Sequence, residues 1–133
     1  MERLRRFRRM YGGAMRQSGI LAAGGLYALE HHITRLREDH ANAKRLATRL
    51  QQIPAVTIDP SLVETNIVFF DVHSRTFSIP AFVAALKQEG VLINAVGGAT
   101  CRAVTHLDVS AEDIEQAADH VARLLNDEAG ASH

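Results

Sequence analysis

TNIVFFDVHSRTFSIPAFVAALKQEGVLINAVGGATCRAVTHLDVS, residues 65–110, carries strand, helix and strand signals in succession. Its first eight residues are rich in β-formers and predict a strand over Thr65–Val72. Ser78 then stands where an N-cap belongs, and Pro80 falls in the first helical turn, where its missing N–H costs nothing. Phe82, Val83 and Leu86 form the buried stripe of that helix, and Gly90 ends it. Val91-Leu92-Ile93 begins the next strand, Gly97-Gly98 makes a turn, and Cys101–Leu107 returns as an antiparallel partner. Ser110 with Asp113 has the spacing of a capping box, although the residue at the third helical position is usually Glu or Gln.

Outward from this stretch the periodicity stays legible. Downstream, Ile114, Ala117, Ala118, Val121, Leu124 and Leu125 give one apolar helix face, and EAGASH reads as a frayed tail. Upstream, Val56-Thr57-Ile58 is a short strand after Pro54. Before it, Ile33, Leu36, His40, Ala43, Ala47 and Leu50 recur at helical spacing, with Arg35, Glu38, Asp39, Asn42, Arg45 and Arg49 opposite. On that stripe His40 reads as a packed histidine with one nitrogen bonded. His31-His32 marks a bend. From Met15 to Leu29 the composition suits a helix that is apolar on nearly every side, and such a helix needs burial on all sides. Residues 3–10 form a short helix, closed by Gly12-Gly13. Strands with helices gathered on one face make a two-layer α+β sandwich.

The chain has 133 residues, 15 basic and 15 acidic, and 47% of them are apolar. That suits one domain with a real core and excludes a disordered chain. The single cysteine, Cys101, rules out an internal disulfide and a multi-cysteine metal site. No apolar run reaches the roughly 20 residues of a membrane span, and the basic start is no secretory signal. A soluble, cytoplasmic domain is the expectation. Zero net charge hides an uneven layout. Residues 1–16 hold six arginines against Glu2, whereas residues 108–128 hold seven acids against Arg123. A basic arm suits phosphates or an acidic partner, but with only Phe7 and Tyr11 interleaved a nucleic-acid role is not favoured.

Seven histidines raise the question of a metal, yet no paired-histidine metal spacing occurs, so none is expected. Cys101 and His106 are five apart and point to opposite faces of a strand, so Cys101 reads as a small buried hydrophobe. Arginine remains. Arg16 follows a glycine turn and opens a helix, and Arg102 interrupts an otherwise apolar strand. Each serves either an internal ion pair or a carboxylate or phosphate ligand, which the planar fork of arginine suits.

Four segments carry a resemblance. RRMYGGAMRQSGILAAGGLYALEHHITRLREDHANAKRLA (residues 8–47) closely resembles the segment after the cofactor lysine in low-specificity L-threonine aldolases. TNIVFFDV, GVLINAV and RAVTHLDVSAEDIEQA resemble their C-terminal domain, in the same order. The resemblance implies a pyridoxal-phosphate enzyme of the aspartate-aminotransferase fold, cleaving L-threonine or L-allo-threonine to glycine and acetaldehyde. It implies a homo-oligomer with active sites at subunit boundaries. Arg102 would hold the carboxylate of a small amino-acid substrate. Arg16 would approach the cofactor phosphate from a neighbouring subunit, and Arg9 lies where many members carry a lysine near the same site. Residues 1–30 become a basic arm and a buried interface helix, and residues 31–133 the small domain.

The chain departs from the family in lacking the Ser-Lys-Gly segment whose lysine forms the Schiff base. Only Lys44 and Lys87 occur, both in helical stretches. The histidine that stacks on the cofactor ring and the aspartate that pairs with its pyridine nitrogen are also missing. The expectation is the C-terminal part of an aldolase, incompetent without its large domain or a partner subunit. A free-standing, non-catalytic assembly module is the alternative.

Overall fold

The structure, a computed structural model, describes residues 1–130, with side chains through Asn126. It divides into two compact units, Met1–Leu36 and Arg37–His133.

In the first unit, α1 (Glu2–Met10) is a short basic helix in which Arg3 lies over the Phe7 ring at 6.0 Å. It ends where the chain doubles back. The Gly13 N–H donates to the Arg8 carbonyl at 2.7 Å, and a Cβ on Gly13 would meet the Arg8 side chain at the same distance. Only glycine fits that approach. The next helix begins later than Met15. Gln17 takes φ +50°, a left-handed conformation that a helix cannot contain, so α2 runs Gly19–His31. It buries no residue within the chain, and Ile20, Leu21, Leu26, Tyr27 and Leu29 are all exposed. His31 and His32 both pack on the Tyr27 ring, with centroids 4.2 and 5.5 Å away.

The second unit continues through α3 (Leu36–Gln51), β1 (Val56–Thr57), a 3-10 turn Pro60–Leu62, β2 (Ile67–Val72), α4 (Ile79–Gln88), β3 (Asn94–Gly97), β4 (Thr100–Val104) and α5 (Ala111–Gly130). The strands form one antiparallel sheet in the order β1-β2-β4-β3. Alternation along β2 and β4 sends Val68, Phe70, Val72, Cys101 and Ala103 into the core. There they join Leu46 and Leu50 of α3, Phe82 and Leu86 of α4, and Ile114, Val121 and Leu125 of α5. Each large side chain so buried contributes about 1.5–3 kcal/mol. The opposite sheet face is not covered by the helices of this unit, with Ile67, Phe69 and Val104 exposed.

The caps are as their residues dictate. Ser78 caps α4, and the Ser110–Asp113 box closes reciprocally, with Ser110 N–H to Asp113 Oδ2 at 2.8 Å and Asp113 N–H to Ser110 Oγ at 3.1 Å. The 3-10 turn carries a cap that periodicity does not reveal, as Asp59 accepts from the Ser61 N–H at 2.9 Å.

Three expectations need correction. The strand after Gly90 starts at Asn94, not Val91. The Val91 N–H donates to the Leu86 carbonyl at 2.9 Å in the helix C-cap, with Gly90 at φ +83°, and so is lost to the ladder. The α3 stripe is rotated: Asp39 and Asn42 are buried, whereas Ile33 and Leu36 are exposed. Thr105 Oγ1 donates to the Asp39 carbonyl at 2.7 Å, and Asn42 Nδ2 to the Val109 carbonyl at 3.1 Å. The β4–α5 connection needs these polar partners because it has left the sheet. His40 is half-buried, and its ring bonds no described residue. At the C-terminus, α5 continues through Gly130, and the remainder of the expected tail, residues 131–133, lies outside the described residues.

Candidate functional site

Arg102 sits in the middle of the open sheet face. On β4 it alternates with the buried Cys101 and Ala103, so its side chain leaves the sheet on the side away from the core. Register places Phe69 of β2 directly across on one side and Asn94 of β3 on the other. Cross-strand partners share a face, with Cβ atoms about 4.5–5.5 Å apart, so Phe69, Arg102 and Asn94 form one row across three strands. A bulge between Ala95 and Gly97 follows Asn94 and bends the edge strand there.

The next row holds Asp71 and Thr100, paired in register. Thr100 Oγ1 donates to Asp71 Oδ1 at 2.6 Å, so this carboxylate bonds to its own cross-strand partner. Among the described residues Arg102 has no ion-pair partner, and its Nε is fully buried without a hydrogen bond. An unpaired buried N–H costs about 1–3 kcal/mol, so it marks a place where an acceptor belongs. The internal-pair reading of Arg102 therefore has no carboxylate to rest on among the described residues.

Cys101, directly beside Arg102 in the chain, faces the core with no exposure. Burial, and secondarily the Asp71 charge, push its thiol up from the ordinary cysteine range, which makes it a poor nucleophile. His106 lies exposed beyond β4, with Nδ1 3.3 Å from the Asp108 N–H. The two are not brought together. Among the described residues no group of three His, Cys, Asp or Glu side chains is placed to hold a metal ion.

Arg9 and Arg16 belong to the first unit. Arg9 stands in the last turn of α1, where Glu2, Arg3, Arg5, Arg6 and Arg9 line one concave surface. Arg16 lies in the exposed turn between Gly13 and α2, next to the left-handed Gln17. Neither has an acidic partner among the described residues. Both are exposed guanidinium groups beside glycine turns. Lys44 and Lys87 are exposed on α3 and at the end of α4.

Sequence reasoning singled out Arg102 but missed Asn94, Phe69 and the Thr100–Asp71 pair. Their one visible signal is the polar or bulky residue at every second strand position. The strand pairing that turns that signal into a row comes from register alone.

The family profile of the beta-eliminating lyases matches residues 1–75, and the chain belongs to that family. Within it, the chain is 43% identical over 120 residues to the low-specificity L-threonine aldolase of Escherichia coli (strain K12), covering 90% of this chain and 34% of that protein. It is 30% identical over 115 residues to low-specificity L-threonine aldolase 1 of Arabidopsis thaliana, covering 86% of this chain and 32% of that protein. The chain thus spans about a third of the length of the curated relatives it matches. Among the described residues no helix is long and apolar enough to cross a membrane.

Proposed function

We propose that this chain supplies the small domain of a cytoplasmic, pyridoxal-phosphate-dependent threonine aldolase-type lyase. In this reading it acts on L-threonine or L-allo-threonine together with a large domain or partner subunit. The single observation that carries the reading is Arg102, an unpaired guanidinium with a buried, unbonded Nε on an open sheet face. Its fork takes the substrate carboxylate in two parallel N–H···O bonds. Fixing the carboxylate fixes the rotation of the amino acid about its Cα, and so which bond faces the reacting group.

Pyridoxal phosphate, when bound, supplies the electron sink for breaking the bond between Cα and the hydroxyl-bearing carbon. The fit of this chain to that group is partial. Arg16 and Arg9 suit its phosphate, but neither Lys44 nor Lys87 has the placement of a cofactor lysine, so no chemical step is assigned to residues of this chain. The remaining parts of the reading are architectural. The open sheet face and the apolar α2 are where the rest of an aminotransferase-like enzyme, and a second copy of it, would pack. A free-standing assembly module leaves the buried Nε of Arg102 without a purpose.

The test joins this chain to the remaining two thirds of a threonine aldolase and measures release of acetaldehyde and glycine. Arg102→Ala removes a bidentate charged contact worth about 2–4 kcal/mol, or roughly 30- to 1,000-fold in kcat/KM. Arg102→Lys recovers only part, because one ammonium does not reproduce the fork. Arg16→Ala weakens cofactor retention instead, so excess pyridoxal phosphate restores much of the rate. Normal kinetics in the folded fraction of both alanine variants would overturn the assignment.

A further inference from the structure

We infer that Asn94 completes the carboxylate site of Arg102, as a second, neutral donor reaching in from the edge strand. The inference rests on the reading of Arg102 as a carboxylate-binding residue and goes beyond it by naming the other half of the site.

A bound carboxylate has about four lone-pair positions, and a guanidinium fork fills two of them. The others are open to further donors, and those that this chain can offer lie on the same face. Within the row through Arg102 there are two neighbours, Phe69 and Asn94. Phe69 offers no donor. Asn94 carries an amide with two N–H groups, is exposed, and bonds its side chain to no described residue. The polar groups of the adjacent row are already engaged with each other, since Thr100 donates to Asp71 at 2.6 Å. Asn94 is thus the free donor closest in register to Arg102. The bulge immediately after it, between Ala95 and Gly97, twists the edge strand locally, a device that re-aims a side chain.

Neutrality is part of the design. A carboxylate at position 94 would face the guanidinium across the strand pair and occupy it permanently. An amide leaves the fork open yet adds a bond when ligand arrives. A planar carboxylate, approached by a planar fork and an amide from one sheet surface, fits this row better than a tetrahedral phosphate does.

The experiment is a titration of the full 133-residue chain, labelled with nitrogen-15, following the Arg102 Nε–H resonance. Acetate is the probe, with chloride holding ionic strength constant and inorganic phosphate as a comparison. The wild-type resonance shifts saturably with acetate and not with chloride. Asn94→Ala weakens the apparent affinity roughly 3- to 10-fold, the effect of losing one hydrogen bond. Asn94→Asp abolishes the response, and its Arg102 resonance resembles the acetate-bound position without ligand. Amide spectra of both variants confirm the fold. If Asn94→Ala titrates like wild type while Arg102 still responds, the role of Asn94 is wrong and that of Arg102 stands. If the wild-type Arg102 resonance ignores acetate, the reading of Arg102 fails and this inference with it. Tighter binding of phosphate than of acetate would overturn the carboxylate assignment.

Discussion

Replacing Arg102 by methionine should make the isolated chain more stable. The guanidinium contributes no ion pair among the described residues, and its Nε–H is buried without an acceptor. In the unfolded chain water satisfies that N–H, so folding pays a desolvation cost of about 1–3 kcal/mol at this one atom. Methionine keeps an unbranched stem against the sheet and removes the orphaned donor, so the packing loss that alanine would bring is avoided. With the exposed part of the guanidinium lost at little cost, the net gain is about 1 kcal/mol. For a unit of about 100 residues that raises Tm by roughly 4–8 °C. The chain has no tryptophan, so far-ultraviolet circular dichroism through urea and thermal unfolding is the assay. A residue kept for structure behaves in the opposite way. If Arg102→Met lowers stability by 1 kcal/mol or more, the arginine holds the fold together, and the argument from its unpaired Nε collapses.

Two further outcomes follow from polar contacts in the second unit. Thr105→Val keeps the shape of a side chain that is 1% exposed but deletes its hydroxyl bond to the Asp39 carbonyl. The hydroxyl lies a longer 3.5 Å from the Asn66 carbonyl as well, so the cost in urea unfolding is about 1 kcal/mol, carried by the shorter bond, and a loss above about 3 kcal/mol would refute that accounting. The Ser110 hydroxyl, and then the Ser110 N–H, hold the Asp113 carboxyl below the usual range. A depressed folded-state pKa means stability that is fully present above the ordinary value, about 3.9, and lost as pH falls through the lower folded value. Asp113→Asn should therefore flatten the acid limb of Tm against pH, and an unchanged limb would show that the box does not titrate with folding.

Much of the fold is legible in the residues alone. Ser78, Pro80 and Gly90 bracket α4 because capping and φ preference are local properties of a few consecutive residues. The Ser110–Asp113 box is read the same way, as is the strand expected over Thr65–Val72 and found at Ile67–Val72. The errors fall where a distant partner decides. Asp39 and Asn42 look like a solvent face by period, yet they are buried because the connection after β4 arrives with a hydroxyl and a carbonyl to satisfy. Val91 has the composition of a strand but spends its N–H on the cap of the preceding helix.

The site divides along the same line. Residue order alone places Arg102 in a strand, sets Arg9 and Arg16 on either side of a glycine turn, and leaves Lys44 and Lys87 as the chain's whole stock of lysine. Those are statements about residue types and neighbours in the chain. It took the folded sheet to show that Arg102 has no carboxylate partner among the described residues, and that its neighbours across the sheet are Phe69 and Asn94. The reason is register. β4 enters the sheet between β2 and β3, and a slip of one residue in either ladder would send Arg102 to the other face or set it beside different partners. That choice is made by the core packing of Val68, Phe70, Cys101 and Ala103 against the helices, which involves residues far apart in the chain and leaves no local mark at position 102.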